Sequence, residues 1–327
     1  MTLSSPPTLR SPCRICGSSA PAAAHRAREM MFGSGDLFDY AECAACGCLQ
    51  IADMPADLAR HYGEGYYSFG ERSPHRGLRG ALIGARNRYL AGDADALGWA
   101  VSRFKPYLAL ASLRPLGLQR DARIVDVGCG GGELLRTLQS VGFTRLLGVD
   151  PFVERDLDLG RGLRVLRTEL SALNEPQDLV MFHHSLEHVV DQLPALAAAR
   201  ALLVPGGRCV VRIPTVDSFA WREYGVDWCA LDAPRHLYLH SRRSIRRLAE
   251  QAGFRVEGIT SDSTSFQFWG SEQYRRGIAL MTPGSHAIAP AVGAFSRDEL
   301  RTFERRAEQL NRANDGDQIV VTLRRDA

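Results

Sequence analysis

Apolar runs bounded by glycine or charged residues recur along the middle and the C-terminal part of the chain. Such runs predict buried strands, and the amphipathic segments between them have helical spacing. Strands that alternate with helices indicate an α/β fold, with a parallel sheet covered on both faces. The predicted strands are residues 123–128, 145–150, 164–168, 178–184, 208–215 and 254–261, and the predicted helices are 131–141, 192–204 and 241–252.

The first predicted strand runs into a turn that contains four glycines in five positions, from Gly128 to Gly132. A turn without Cβ atoms lets a ligand approach the backbone, and the helix that follows it offers free N–H groups. Asp150 ends the next strand, where a doubly wound sheet binds ribose hydroxyls. The spacing is G-x-G-x-G, because Glu133 occupies the position that a dinucleotide fingerprint gives to its third glycine. The turn therefore predicts a nucleoside site of another kind.

This glycine turn resembles the first motif of class I S-adenosylmethionine (SAM) dependent methyltransferases. Two later segments resemble further motifs of that family in the same order, LVMFHHSLEHV at 179–189 and LLVPGGR at 202–208. The resemblance covers residues 121–260 and implies a Rossmann-like sheet, an antiparallel last strand at 317–323 and SAM as cofactor. The SAM-binding residues that it implies are Asp126, Gly128, Gly130, Gly132, Asp150, Glu169 and His183.

Cysteines near the N-terminus stand in two C-x2-C pairs, each followed by glycine and separated by 26 residues. Two such knuckles supply four sulfur ligands for a structural zinc ion, and four thiolates leave no open position for catalysis. Rubredoxin-type iron uses the same geometry, and disulfides are the remaining alternative. Cys48 is a fifth thiol, either a bystander or an exchange ligand. The predicted zinc ligands are Cys13, Cys16, Cys43 and Cys46.

These motifs divide the chain into a zinc-binding module at 1–70, a helical lid or linker at 71–118 and a methyltransferase domain at 119–327. The lid is predicted to form two or three helices that cap the SAM side, although Gly77, Gly80 and Gly84 weaken any single helix there. Its arginines make a peripheral membrane contact an alternative. A helical insertion at about 263–315, with a charged helix at 296–312, shapes the substrate pocket or covers a sheet edge.

Composition limits the classes of partner. With 45% hydrophobic residues, 24% charged residues and a net charge of +3, the chain has no dedicated nucleic-acid surface. No apolar run reaches the roughly 20 residues that span a bilayer, and no signal peptide is visible at the N-terminus. We therefore expect a cytoplasmic protein, in which clustered thiols bind metal. The oligomeric state is left open.

The order of a cysteine-rich module, a tyrosine-rich joint and a methyltransferase fold is similar to that of sugar C-methyltransferases acting on nucleotide-linked deoxysugars, and of methyltransferases associated with surface polysaccharides. That family carries a catalytic Glu-His pair after the fifth strand, and this chain has Arg235-His236 there. The change favours transfer to oxygen. His236 is the predicted general base, with His183 and His184 as alternatives, and Arg235 is expected to pair with a substrate anion or with Asp232.

A sugar or glycan-linked hydroxyl is the predicted small-molecule acceptor, bound by aromatic stacking and polar contacts. C-methylation of a nucleotide-linked sugar, and an aromatic or lipid-like acceptor, are the alternatives. A non-enzymatic alternative is an interaction protein in which the zinc module binds a partner and the SAM fold is vestigial. A packing role for the aromatic residues stands beside the substrate role. The predicted substrate residues are Tyr67, Trp221, Tyr224, Trp228, Arg235 and Tyr238.

Overall fold

The computed structural model describes residues 12–19, 22–62, 77–290 and 294–326. Its N-terminal part forms three antiparallel strands, β1 (Ala22–Arg28), β2 (Leu37–Cys43) and β3 (Leu49–Ile51). The sequence pattern did not predict these strands, because turn and cysteine residues interrupt its periodicity. Three helices follow, α1 (Gly77–Leu90), α2 (Ala96–Phe104) and α3 (Leu108–Ala111).

The rest of the chain forms the predicted alternating sheet and its insertion. Its elements in chain order are β4 (Arg123–Val127), α4 (Glu133–Ser140), β5 (Arg145–Val149), β6 (Leu157–Asp158), β7 (Arg164–Leu166), β8 (Gln177–His183), α5 (Gln192–Leu202), β9 (Leu203–Pro214), α6 (Phe219–Tyr224), β10 (Tyr238–Leu239), α7 (Arg242–Gln251), β11 (Arg255–Ser261), α8 (Phe266–Arg275), α9 (Arg297–Arg312) and β12 (Gln318–Arg324).

Eight strands make the central sheet, in the order β11-β12-β9-β8-β4-β5-β7-β6. Strands β4, β5, β7, β8 and β9 are parallel to their neighbours in this group, and β12 is antiparallel to β9 and to β11. This order confirms the predicted Rossmann-like fold with an antiparallel last strand. The short strand β6 at the edge was not predicted.

Alternate residues of the sheet enter two different cores, as the period of a strand requires. Ile124 packs with Leu135 and Leu138 of α4 on one face. Its neighbour Val125 packs on the other face, in the cluster that contains Leu196 of α5 and Ile245 of α7. Helix α7 begins at Ser241, whose hydroxyl accepts a hydrogen bond from the Ser244 amide, as its sequence predicts. Both faces of the sheet are therefore covered by helices.

The segment between the two modules forms three helices, the upper number predicted. Helix α1 runs without a break through Gly80 and Gly84, so the expectation that glycines weaken a single helix here was wrong. Tight packing explains the difference: a Cβ atom on Gly98 of α2 would lie 2.2 Å from the Ala85 carbonyl oxygen of α1. Tertiary contacts outweigh the roughly 1 kcal/mol that each interior glycine costs. Helix α3 packs on α4. Whether these helices cap the SAM side stays a prediction.

Contacts join the N-terminal strands to the methyltransferase sheet. Strand β10, in the segment between β9 and α7, pairs with β3, which gives a four-stranded sheet of order β1-β2-β3-β10. The amides of Leu280 and Met281 in the insertion donate to the carbonyls of Met30 and Met31. Three segments that are far apart in sequence therefore meet on one side of the sheet. Within the described residues, no helix combines the length and apolarity needed to cross a lipid bilayer.

Candidate functional site

The glycine turn after β4 has the backbone conformation that its sequence predicts. Gly128, Gly130 and Gly132 have φ angles of 69°, 52° and 76°, in the left-handed region that side chains disfavour. At Gly128 the close neighbour is Ser185, because an added Cβ would lie 2.5 Å from the Ser185 Cβ atom. The turn therefore leaves room for the chain end of β8 to lie against it.

Asp150, after β5, holds the turn. Its carboxylate accepts hydrogen bonds from the Gly130 amide (2.8 Å) and the Phe152 amide (2.9 Å). Asp126 lies beneath the turn and is 4% exposed. Burial, together with the charge of Asp150, raises the pKa of Asp126 to about 8. The structure thus places two carboxyl groups at the carboxyl edge of β4 and β5, where this fold class binds its ligand.

His183 and His184 end β8 but have different surroundings. Both ring nitrogens of His183 are buried, with no hydrogen-bond partner among the described residues, a state that a bound ligand would relieve. His184 has a φ angle of 54° and contacts Arg212, and its Nδ1 lies 3.4 Å from the Glu187 carboxylate. His183 is therefore open to a cofactor contact, whereas His184 is held by protein groups.

A second group of side chains follows directly. The Ser185 hydroxyl donates to the Val127 carbonyl (2.6 Å), which fixes the turn that carries Glu187 and His188 beside the glycine turn. One ligand atom each from Glu187, His188 and His236 lies within 4.8 Å of the other two. His236 was predicted from sequence. Glu187 and His188 were visible only as part of the LEHV segment, where His188 was assigned a structural role.

The charge states in this group follow from burial and from the neighbouring charges. Burial lowers the pKa of His188 to about 4, so this imidazole is neutral at pH 7. Burial alone would raise the pKa of the Glu187 carboxyl, but contact with His184 and proximity to the other histidines lower it to about 2. The group therefore presents an ionised carboxylate beside a neutral imidazole.

His236 is held from several directions. Its Nδ1 donates to the Ala230 carbonyl (2.8 Å), so Nε2 carries the lone pair. Nε2 lies 4.0 Å from Glu187 Oε1 and 3.8 Å from Asp232 Oδ2. The carbonyl of His236 accepts a hydrogen bond from the Tyr40 hydroxyl of β2 (2.8 Å). The N-terminal module thus positions the predicted base.

Arg235 is fully buried and paired with protein carboxylates. Its guanidinium donates to Asp232 (2.6 Å) and to Glu29 (2.8 Å), and to the carbonyl of His61 (2.9 Å). Of the two alternatives raised by the sequence, the structure shows the pairing with Asp232. A guanidinium satisfied in this way is not available to a substrate anion in this conformation.

The predicted substrate aromatics lie in the same region, and most of them pack against protein. The Trp228 ring is buried and its Nε1 donates to Asp317 (3.0 Å), while the buried Tyr238 donates to the Val190 carbonyl (2.8 Å). Trp221 and Tyr224 retain 9% and 6% exposure. These contacts are the packing alternative raised by the sequence. Tyr67 lies outside the described residues, and Glu169 is exposed in the loop after β7.

The four predicted metal-binding cysteines converge as the spacing requires. The Sγ atoms of Cys13 and Cys46 are 3.7 Å apart, and those of Cys16 and Cys43 are 3.6 Å apart. Sulfur ligands about 2.3 Å from a tetrahedral ion are separated by about 3.8 Å, so the four thiols fit zinc. A hydrogen bond from Cys46 lowers the pKa of the Cys13 thiol to about 4. Cys48 instead lies buried, with its thiol directed at the Leu49 carbonyl.

Comparison with known proteins agrees with this geometry. A sequence profile described as a methyltransferase domain matches residues 101–258. The ubiquinone biosynthesis O-methyltransferase of Bordetella avium is 31% identical over 184 residues, covering 48% of this chain and 75% of that protein. The enzyme of the same name from Cereibacter sphaeroides is 33% identical over 127 residues, covering 35% and 50%. The chain spans about half the length of the first curated relatives it matches.

A SAM-dependent methyltransferase structure from Archaeoglobus fulgidus is 20% identical, covers 70% of this chain and 100% of that one, and has a TM-score of 0.41. The strand order and the glycine turn define a SAM-binding α/β fold with a methyltransferase domain. The chain belongs to the class I SAM-dependent methyltransferase family, as its relatives of that kind show.

The raised pKa of Asp126 generates a prediction about stability. A carboxyl whose pKa is higher in the folded than in the unfolded chain destabilises the fold progressively as pH rises from about 4 to about 8. We expect Asp126→Asn to raise the melting temperature of the ligand-free protein by at least about 3 °C at pH 8, and by less at pH 5. Thermal unfolding at both pH values measures this. The exposed Asp121→Asn serves as control, and an equal shift at both pH values would contradict the assignment.

The cysteine cluster generates a prediction about metal content. Replacing Cys13 and Cys16 together with serine removes half of the sulfur ligands, so the zinc bound by this cluster should be lost and the N-terminal strands should unfold. Elemental analysis and circular dichroism measure the two effects. Cys48→Ala, in the same module, should keep the metal. An ordered N-terminal module in the metal-free double variant would show that the cluster is not a metal site.

Proposed function

We propose that this protein transfers the methyl group of SAM to a hydroxyl oxygen of a small-molecule acceptor. The observation that carries the proposal is the hydrogen bond from Ser185 to the Val127 carbonyl. It joins the glycine turn, which suits a nucleoside, to the turn that carries Glu187 and His188. A methyl-donor site and groups able to handle a proton therefore lie side by side, and methyl transfer to a hydroxyl requires both.

The glycine turn and Asp150 are the proposed SAM-binding groups. SAM, when bound, supplies a methyl group activated by its sulfonium. The Asp150 carboxylate already accepts two backbone N–H groups, and its remaining lone pairs are available to ribose hydroxyls. His183, with both ring nitrogens lacking a partner among the described residues, is the proposed contact to the methionine portion. The exposed Glu169 remains the proposed adenine-side residue.

The proposed proton acceptor is Nε2 of His236. Its Nδ1 hydrogen bond to Ala230 fixes the neutral tautomer with the lone pair on Nε2. The carboxylates of Glu187 and Asp232, at 4.0 and 3.8 Å from Nε2, stabilise the imidazolium that forms when a hydroxyl proton is accepted. His183 and His184 are less suited, because the first ends the strand beside the glycine turn and the second is held by Arg212.

Two observations support oxygen rather than carbon as the accepting atom. Arg235 stands where the sugar C-methyltransferases carry glutamate, and its buried pairing with Asp232 and Glu29 leaves no carboxylate at that position to remove a proton from carbon. The curated relatives named above are O-methyltransferases. The proposed acceptor is a sugar or glycan-linked hydroxyl, on the narrower resemblance of the sequence. Since Trp228 and Tyr238 are packed in the core, polar groups rather than these rings would bind it.

Binding of SAM gives the first test. Asp150→Ala removes a charged acceptor of two ribose hydrogen bonds, each worth about 1.5–3 kcal/mol, so we expect the affinity for SAM to fall by about 100-fold or more. Calorimetry measures it. Asp158→Ala is a matched control, because Asp158 also accepts a backbone N–H group, from Gly160, in a neighbouring exposed turn. An unchanged affinity in the Asp150 variant would remove the proposed site. No SAM binding by the wild-type protein would favour the non-enzymatic alternative.

Turnover gives the second test. Loss of a general base slows reactions about 10²–10⁴-fold, so His236→Ala should slow methyl transfer on that scale with SAM affinity unchanged. Transfer of labelled methyl to a panel of nucleotide sugars, glycans and phenolic or lipid-like alcohols measures turnover and identifies the acceptor class. A variant with wild-type turnover would exclude His236, and labelled product with a new carbon–carbon bond would overturn transfer to oxygen.

A further inference from the structure

We infer that Glu187, His188 and His236 form a second metal site, separate from the cysteine cluster, which binds a divalent transition-metal ion beside the glycine turn. One ligand atom from each residue lies within 4.8 Å of the other two. Two imidazoles and one carboxylate are a donor set that suits Zn²⁺, Mn²⁺, Fe²⁺ and Co²⁺, and thiolate is absent from it. Binding of the ion does not depend on the proposed methyl transfer; only its role does.

Both histidines are oriented as metal ligands usually are. Nδ1 of His188 donates to the Arg235 carbonyl, and Nδ1 of His236 donates to the Ala230 carbonyl, each at 2.8 Å. A backbone carbonyl on one ring nitrogen fixes the tautomer and leaves the lone pair on the other, Nε2. The two rings lie with their centroids 4.8 Å apart. Each ring therefore offers Nε2 as a ligand.

Glu187 provides the independent observation that points to an ion. Its side chain is fully buried, and neither carboxylate oxygen has a hydrogen-bond partner among the described residues. The nearest cationic candidates are His184 Nδ1 at 3.4 Å and His236 Nε2 at 4.0 Å. A desolvated carboxylate without donors is costly, and coordination to a cation offsets that cost.

The surrounding charges also favour a cation. Asp232 and Glu29 flank the buried guanidinium of Arg235, and Glu187 adds a third carboxylate. Three carboxylates and one guanidinium leave this buried group with a net charge of −2 when the imidazoles are neutral. A divalent ion balances that charge, whereas the apolar core around it does not.

Three protein ligands leave coordination positions open, as in catalytic rather than structural sites. His188 is the partly exposed member of the three, so the open positions are reached from its side. Resting on the proposed function, the role of the ion is to hold the acceptor hydroxyl oxygen and make its proton more acidic. Nε2 of His236 is then a ligand and not the proton acceptor, and metal removal distinguishes the two roles.

Cobalt is the probe for this site. Full-length protein freed of loosely bound metal should bind Co²⁺ with visible d–d absorption and without new thiolate charge-transfer absorption, which marks the cysteine cluster. Glu187→Gln keeps the shape but removes the charge. Because even the loss of an outer-shell contact weakens metal binding about 10–100-fold, we expect this variant to bind Co²⁺ at least about 100-fold more weakly. His25→Gln, in β1, is the control for adventitious histidine binding and should bind as the wild type does.

Several outcomes would overturn the site. One is a wild-type protein whose cobalt spectrum contains thiolate bands alone, and another is a Glu187→Gln variant with wild-type affinity. If that variant does not fold, as circular dichroism shows, His236→Gln provides the same test. Calorimetry with S-adenosylhomocysteine on the same samples separates the two proposals: binding without the cobalt site leaves the proposed function standing alone, and the cobalt site without binding leaves the metal site alone. Full methyl transfer after metal removal would contradict the role of the ion.

Discussion

Burial of the Arg235 guanidinium puts a full positive charge at the junction of three segments that are distant in sequence. Asp232 lies in the same loop, Glu29 follows β1 of the N-terminal module, and the His61 carbonyl completes the set of acceptors. A buried charge is stable only when it is fully paired, and loss of one partner costs about 3–5 kcal/mol. The acceptor-side loop can therefore take this conformation only when the N-terminal module is docked.

Other contacts reinforce the same junction. Strand β10 extends the N-terminal sheet, Tyr40 donates to the His236 carbonyl, and the Ser241 hydroxyl donates to the Cys46 carbonyl of the second cysteine knuckle. On the opposite side, the Cys229 amide donates to Ser271 of α8 in the insertion. A metal in the cysteine cluster would thus stabilise the loop that carries His236. This gives the N-terminal module a positioning role even though its own ligands are closed to substrate.

The aromatic and charged residues between β9 and α7 illustrate how one composition serves two purposes. Trp228, Arg235 and Tyr238 have the composition of a sugar site, but the structure uses them to close the junction. The groups left with unsatisfied polar atoms are instead Glu187 and His183. Unsatisfied buried polar groups are expensive, so they mark the position of function better than residue type does.

The sequence by itself determined the parts of this protein that depend on local rules. The two-residue period of β4 and β8, the left-handed glycines of the turn and the paired cysteines are properties of short segments, and the structure agrees with the prediction for each. Tertiary structure alone decided the pairing of Glu29 with Arg235 across 206 residues, the addition of β10 to β3 and the burial of Glu187. Those features depend on desolvation and charge pairing between distant segments, which no local pattern encodes. The glycine-containing helix α1 shows the same dependence, since close packing at Gly98 outweighs local helix propensity.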